Sequence, residues 1–275
     1  DLYKSNEKVK SLFSESDDIL GFALSNVMFN GTEEELKQTK ITQPAIFLHS
    51  IAELIVLQET HLPNAVAGHS LGEFSSLVAN NTISFEDGLK LVFLRAKAMQ
   101  KSCENSNGTM AAILGLDDKI IKETCESFDG NVTAANFNCP GQVVISGESN
   151  AVKMICEKFN EIGARRSILL PVGGAFHSNL MNDAKSELKE AIHKTKFNNP
   201  TCPIYQNFTA QKTTSIDIIK QNLINQLTAP VLWTQTINNM VNDGYLDYTE
   251  VGPGKVLQGL IRKINRETIT QSALS

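Results

Sequence analysis

Residues 65–79, AVAGHSLGEFSSLVA, decide the fold. Residues 65–67 form a short apolar run that reads as a buried strand, and residues 71–79 carry apolar side chains at helical spacing. Between them lies Gly68-His69-Ser70-Leu71-Gly72, a match to G-x-S-x-G in its required strand–turn–helix context. Such an elbow is tight, and both glycines are expected there because a side chain would collide with neighbouring backbone. The turn projects the Ser70 hydroxyl outward at a helix N-terminus, where backbone N–H groups stabilise a developing anion. The Leu71 N–H is the natural oxyanion donor. The competing reading of the same residues is a serine cap in a plain glycine turn.

Outward from this elbow, helix and strand alternate. Residues 2–15 read as an amphipathic helix with Val9, Leu12 and Phe13 inward. Pro44 is expected to open an apolar helix reaching residue 57, where its fixed φ suits the first turn. Ser84, with Asp87 three residues on, caps a helix reaching about residue 101. The middle of the chain has its own order: strand 109–114, helix 117–128, strand 132–136, a Pro140-Gly141 turn, strand 142–146, helix 151–162, strand 167–172. The order β-α-β-β-α-β is that of a ferredoxin-like unit. The expected architecture is a large α/β domain of residues 1–104 and 173–275, interrupted by a small ferredoxin-like subdomain of residues 105–172.

Composition narrows the function. The 275 residues carry a net charge of −5, with 41% apolar and 20% charged residues, an ordinary globular balance that argues against nucleic-acid binding. No uninterrupted apolar run reaches the roughly 18 residues of a membrane span, since His49, Ser50 and Glu53 break the longest apolar-rich stretch. No leader-like pattern opens the sequence. The five cysteines, Cys103, Cys125, Cys139, Cys156 and Cys202, are odd in number and form no C-x-x-C pair, so structural thiols in a reducing cytoplasm are expected, with no metal site.

A nucleophilic serine needs a base. His49 lies on an apolar helix and reads as a core residue; His61 sits in a loop beside Pro63; His193 shares a helix with Lys185, Glu187, Lys189 and Glu190 and reads as solvated. His69 neighbours the nucleophile, but adjacent side chains at an elbow point apart. His177 follows Gly173-Gly174-Ala175-Phe176 and precedes a helix, a place where a polar group can enter a cleft. In α/β-hydrolases the histidine comes late in the chain, yet none follows His193 here. An esterase or thioesterase reading therefore has trouble supplying its base.

On the helix from Phe85, Lys90, Lys97 and Lys101 share one charged face, while Leu89, Val92, Phe93, Ala96 and Met99 form the apolar stripe. Arg95 falls near Met99, opposite the lysines. A guanidinium there must find an anion. Either it pairs with an Asp or Glu of the chain, or it forks onto a substrate carboxylate.

Several blocks together carry a resemblance: GHSLGEFSSLV around Ser70, LVFLRAKAMQ around Arg95, NFNCPGQVVISG at 136–147, GAFHSNLM around His177 and EVGPGKVLQGL at 250–260. The chain resembles the malonyl-CoA:acyl carrier protein transacylases of type II fatty acid synthesis over essentially its whole length. The resemblance implies a hydrolase-like parallel-sheet α/β domain with a ferredoxin-like insert. It implies that Ser70 carries a malonyl ester and that His177 is the base, oriented by the backbone carbonyl of Gln226 instead of by an acid. Arg95 would hold the malonate carboxylate, in a pocket that Met99 and Phe176 help to line. The Ala175-Phe176-His177 signature disfavours an α-methyl group. Asn136 and Asn138 match a pocket-edge loop, though they also read as a turn-shaping pair. The family's oxyanion hole adds an N–H from an N-terminal G-Q-G segment absent from this sequence, so the first strand lies upstream of Asp1 or the second donor comes from elsewhere. The expected partners are malonyl-CoA and acyl carrier protein, with CoA thioester as substrate and no cofactor, no nucleic acid and no membrane, and the chain a cytoplasmic monomer. A serine thioesterase or esterase and a non-catalytic acyl-CoA-binding module remain the alternatives.

Overall fold

The computed structural model of the chain describes residues 2–58 and 62–274; His61 lies outside them. The N-terminal helix is two helices, Leu2–Ser5 and Glu7–Leu20, because the Asn6 side chain accepts the N–H bonds of Lys8 and Val9 and starts the second afresh. Val9, Leu12 and Phe13 are buried as the pattern predicts. The next long helix, Thr39–Leu57, begins well before the proline expected to open it, and Pro44 lies inside it, buried. No side chain caps its start; Gln38 O accepts from both Ile41 and Thr42 N–H, so no sequence signal marks the true N-terminus. By length and composition this helix could cross a membrane, which a search for uninterrupted apolar runs misses. Here it is a core helix, with Phe47, Leu48, Ile51, Ala52 and Leu54 packed beside the helix Phe85–Glu104. Phe47 and Phe74 are completely buried, each stabilising the fold by about 1.5–3 kcal/mol relative to an exposed ring.

Strand β1 (Val66–Ala67) is two residues long. The small sheet comprises β2 (Gly108–Leu114), β3 (Val132–Cys139), β4 (Gln142–Glu148) and β5 (Arg166–Leu169). Later come β6 (Ile204–Tyr205), β7 (Lys212–Thr213), β8 (Asp247–Glu250) and β9 (Ile269–Ser272). Among the described residues, parallel strand pairs are β1 with β6 (Val66 opposite Ile204) and β8 with β9 (Asp247 opposite Ile269), with one further parallel bridge between Asn136 and Val231, while β7 adds antiparallel to β6. The fold class is mixed α/β.

The small sheet has the order β3-β4-β2-β5, antiparallel throughout, which is the ferredoxin-like arrangement. Its strands alternate faces as the pleat requires. Ala111, Ile113, Val143 and Ile145 face the helices Asp118–Ser127 and Ser149–Glu161 and pack on Ile121, Val152, Ile155 and Phe159. Met110, Ala135 and Val144 occupy the other face, against Leu170, Val172 and Phe176. β3 runs three residues beyond its expected end, because its outer edge pairs with Val231: Phe137 N–H donates to Val231 O and Val231 N–H to Ala135 O. β5 ends at Leu169, short of the expected residue 172.

Candidate active site

Ser70 sits in left-handed backbone, φ 51°, between β1 and the helix Gly72–Ala79. For a residue with a side chain this costs on the order of 1–3 kcal/mol and persists only where the surroundings enforce it. Gly68 is indispensable to the turn: a Cβ there would lie 2.0 Å from the backbone carbonyl of Gly72. The expectation fails for Gly72, whose own Cβ would meet nothing within 4 Å. Gly72 matters for how closely its backbone approaches Gly68, not for the space at its own Cα. The Ser70 N–H donates to Asn207 Oδ1 (2.6 Å) and the Ser70 carbonyl accepts from Gln226 Nε2 (2.9 Å). Among the described residues, the Leu71 N–H donates to no protein acceptor.

His177 also has left-handed backbone, φ 58°, and is 3% exposed. Its Nδ1 lies 2.9 Å from Gln226 O, and its Nε2 lies 2.8 Å from Ser70 Oγ. A carbonyl can only accept, so Nδ1 carries the proton and the Nε2 lone pair faces the serine hydroxyl. Burial, and then the nearby Arg95 cation, push the imidazole down to about 3, so it is neutral at physiological pH. The remaining described histidines lie elsewhere. His69 turns away, its Nε2 2.9 Å from Asn138 Oδ1 and its ring beside Trp233. His49 is a correction: it is half-exposed instead of core, with Nδ1 3.8 Å from Glu53. His193 is exposed as expected.

Arg95 is 1% exposed. Nη1 donates to Gln43 Oε1 (2.6 Å), and Nη2 donates to Ser70 Oγ (2.9 Å) and Gln226 Oε1 (3.3 Å). Its guanidinium stands 5.8 Å over the Phe74 ring. Nε is buried without a hydrogen-bond partner. Burial pushes Arg95 down to about 10, opposed by the Glu73 charge. No carboxylate among the described residues bonds to it. The helix buries a wider arc than its stripe suggests: Leu91 and Ala98 are buried too, while Phe93 is half-exposed against Phe22 and Lys97.

The structure thus brings Ser70, His177, Arg95 and Gln226 together. Met99 is buried, its sulfur accepting from Gln43 Nε2 (3.3 Å) behind the guanidinium. Phe176 bridges the large core and the outer face of the small sheet. Asn138 engages His69, and buried Asn136 is tied through backbone pairing to Val231. Sequence reasoning missed Gln43, Glu73 and Asn207. Gln43, a polar residue immediately before an apolar run, was a readable signal, as was an acid in the first turn of the apolar elbow helix. Asn207 offered none. All five cysteines are buried and free, and burial raises each thiol, Cys125 to about 12.

The acyl transferase domain model matches residues 1–274. The malonyl CoA-acyl carrier protein transacylase of Bacillus subtilis (strain 168) is 41% identical over 274 residues, spanning 98% of this chain and 86% of that protein. Its namesake from Staphylococcus aureus (strain MRSA252) is 38% identical over 270 residues, spanning 97% of this chain and 87% of that protein. Among solved structures, an acyl carrier protein S-malonyltransferase from Vibrio cholerae superposes with a TM-score of 0.95 at 38% identity, covering 99% of this chain and 90% of that one. A malonyl-transacylase solved in complex with its type II PKS acyl-carrier protein also gives 0.95, at 36% identity, covering 99% and 89%.

Proposed function

The chain belongs to the acyl transferase domain family, and from that premise we propose that it transfers a malonyl group from malonyl-CoA to the phosphopantetheine thiol of acyl carrier protein. Ser70 Oγ attacks the thioester carbonyl while His177 Nε2 takes its proton. The Leu71 N–H faces the oxyanion. Collapse expels the CoA thiolate, which leaves with the proton from His177. The carrier thiol then gives its proton to His177 and attacks the malonyl ester, and Ser70 departs with that proton. Splitting the transfer lets one pocket serve two bulky thiols in turn. The chemistry balances without any cofactor.

The observation that carries this reading is the buried Arg95, bonded to the nucleophile and, among the described residues, to no carboxylate. An acyl group that brings its own carboxylate supplies the missing anion. It also offsets the positive charge that depresses His177, so the base strengthens when the correct substrate is seated. Met99 and Phe176 complete the pocket wall, with Asn136 and Asn138 at its edge. The division into residues 1–104 with 173–275 and residues 105–172 belongs to the same proposal, supported by the separate core of the small sheet. Cytoplasmic residence is supported by five unpaired thiols.

Intact mass measurement after mixing with malonyl-CoA tests the reading. A malonyl adduct on Ser70 that is discharged by added holo-carrier protein is the expected result. Rapid release of free malonate would make the chain a thioesterase, and no adduct would make it a binding module.

A further inference from the structure

Glu73 is wholly buried, in the first turn of the elbow helix, and the proposed chemistry gives it no task. Both of its oxygens accept from N–H donors: Oε1 from the Asn207 backbone N–H, and Oε2 from Gln226 Nε2 at 2.7 Å. Those two residues are the ones that clamp Ser70. Asn207 Oδ1 accepts from Ser70 N–H, while its Nδ2 donates to Gly68 O at 2.7 Å. Gln226 Nε2 donates to Ser70 O, and the Gln226 backbone carbonyl accepts from His177 Nδ1. A closed ring therefore runs from Ser70 through Asn207, Glu73 and Gln226 back to Ser70, and one of its members also sets the histidine.

We propose that Glu73 is a positioning residue that holds the strained nucleophile, and through Gln226 the base, in reacting geometry. The proposal rests on the acyl-transfer reading for the reaction but not for the ring. Left-handed backbone at Ser70 needs surroundings that over-determine it. One carboxylate accepting from both clamping residues supplies this, because it ties two segments distant in sequence to the helix that starts at the elbow. The two-donor arrangement suits an ionised acceptor and no other side chain of this size: an amide would turn an NH₂ group against a donor. Burial pushes the Glu73 carboxyl up to about 8 even against the opposing pull of its Asn207 and Gln226 donors and the Arg95 charge, so the acceptor geometry of its two oxygens is held at a cost.

The test is Glu73→Gln, with folding checked by circular dichroism and thermal unfolding. Three quantities are read: the Ser70 malonylation rate at saturating malonyl-CoA, the half-saturating concentration, and the rate of Ser70 sulfonylation by phenylmethanesulfonyl fluoride, which carries neither carboxylate nor CoA. Both rates should fall by a similar factor, roughly 10- to 100-fold, with half-saturation moving only a few-fold, and Glu73→Asp should recover part of the loss. A fall in malonylation alone would mean that Glu73 acts through Arg95 and the substrate carboxylate, and unchanged rates would mean that it only stabilises the fold; either overturns the proposal. If Glu73→Gln does not fold, Gln226→Met opens the same ring while keeping the carbonyl that His177 needs, and an unchanged sulfonylation rate there overturns it equally. Wild-type protein that is sulfonylated but never malonylated would refute malonyl transfer and leave the test of Glu73 standing.

Discussion

Arg95→Ala should invert or flatten a preference for malonyl-CoA over acetyl-CoA. In the resting site the guanidinium spends Nη1 on Gln43 and Nη2 on Ser70 Oγ and Gln226, while Nε has no partner. A malonate carboxylate can take two parallel bonds from this fork. Charge-assisted bonds contribute roughly 1.5–3 kcal/mol each at the net level. Losing two therefore costs malonyl-CoA at least ~10²-fold in kcat/KM, at about 1.4 kcal/mol per tenfold. Acetyl-CoA has no second carboxylate, so with wild-type protein it leaves a buried cation without a carboxylate in contact, and removing that cation should help it. The same substitution removes one of the charges that depress His177, which favours proton transfer with either substrate. Arg95→Lys should rescue only in part, because an ammonium lacks the planar fork. The assay is a pair of single-turnover acylation rates, malonyl-CoA and acetyl-CoA, on wild-type and variant protein with matched circular dichroism. Equal losses for both substrates would refute the argument and make Arg95 a structural residue tied to Gln43 and Gln226.

His177→Ala should lower Ser70 acylation by several orders of magnitude while leaving a residual rate from the oxyanion donor; a rate within a few-fold of wild type would remove His177 as base. Because burial and Arg95 lower the His177 pKa, the neutral base persists as pH falls, so the acid limb of kcat/KM should lie well below the ordinary histidine value of about 6.5, and Arg95→Ala should move that limb upward. Gly68→Ala should cost about 3 kcal/mol in urea unfolding, the upper end of the usual overpacking range, since its Cβ meets backbone that cannot give, whereas Gly72→Ala should be tolerated. Charge reversal at exposed Arg165 and Arg166, or at Lys255, Arg262, Lys263 and Arg266, should slow transfer to an acidic carrier protein and weaken its salt dependence without changing acylation by malonyl-CoA; unchanged transfer after reversing both groups removes them as the docking patch.

The parts of this molecule legible in the sequence are those whose cause is local. The elbow was readable because glycines, serine and flanking apolar periods all lie within one short segment, and the ferredoxin-like order because each strand and helix carries its own period. Ser84 announced the helix Phe85–Glu104 because the N–H that its side chain caps belongs to its own third neighbour, Asp87. Thr39–Leu57 shows the converse: its start has no side-chain cap, so the one strong signal nearby, Pro44, misplaced it. The C-terminal end of β3 failed for a different reason, since its pairing partner Val231 lies far along the chain. The same division runs through the site. Ser70, Arg95 and His177 have sequence surroundings that mark them as unusual: an elbow, a charge on an apolar face, a glycine-rich approach. Gln226 was reached by resemblance alone, and Asn207 not at all, because each works through bonds closed by tertiary contact: Gln226 with its carbonyl to His177 and amide to Ser70, Asn207 with both ends of its amide at the elbow. An amide on a helix or loop looks the same in a sequence whether it meets water or a strained serine. What distinguishes it is a partner that cannot be satisfied otherwise, and here that partner is a buried carboxylate sitting one helical turn from the nucleophile.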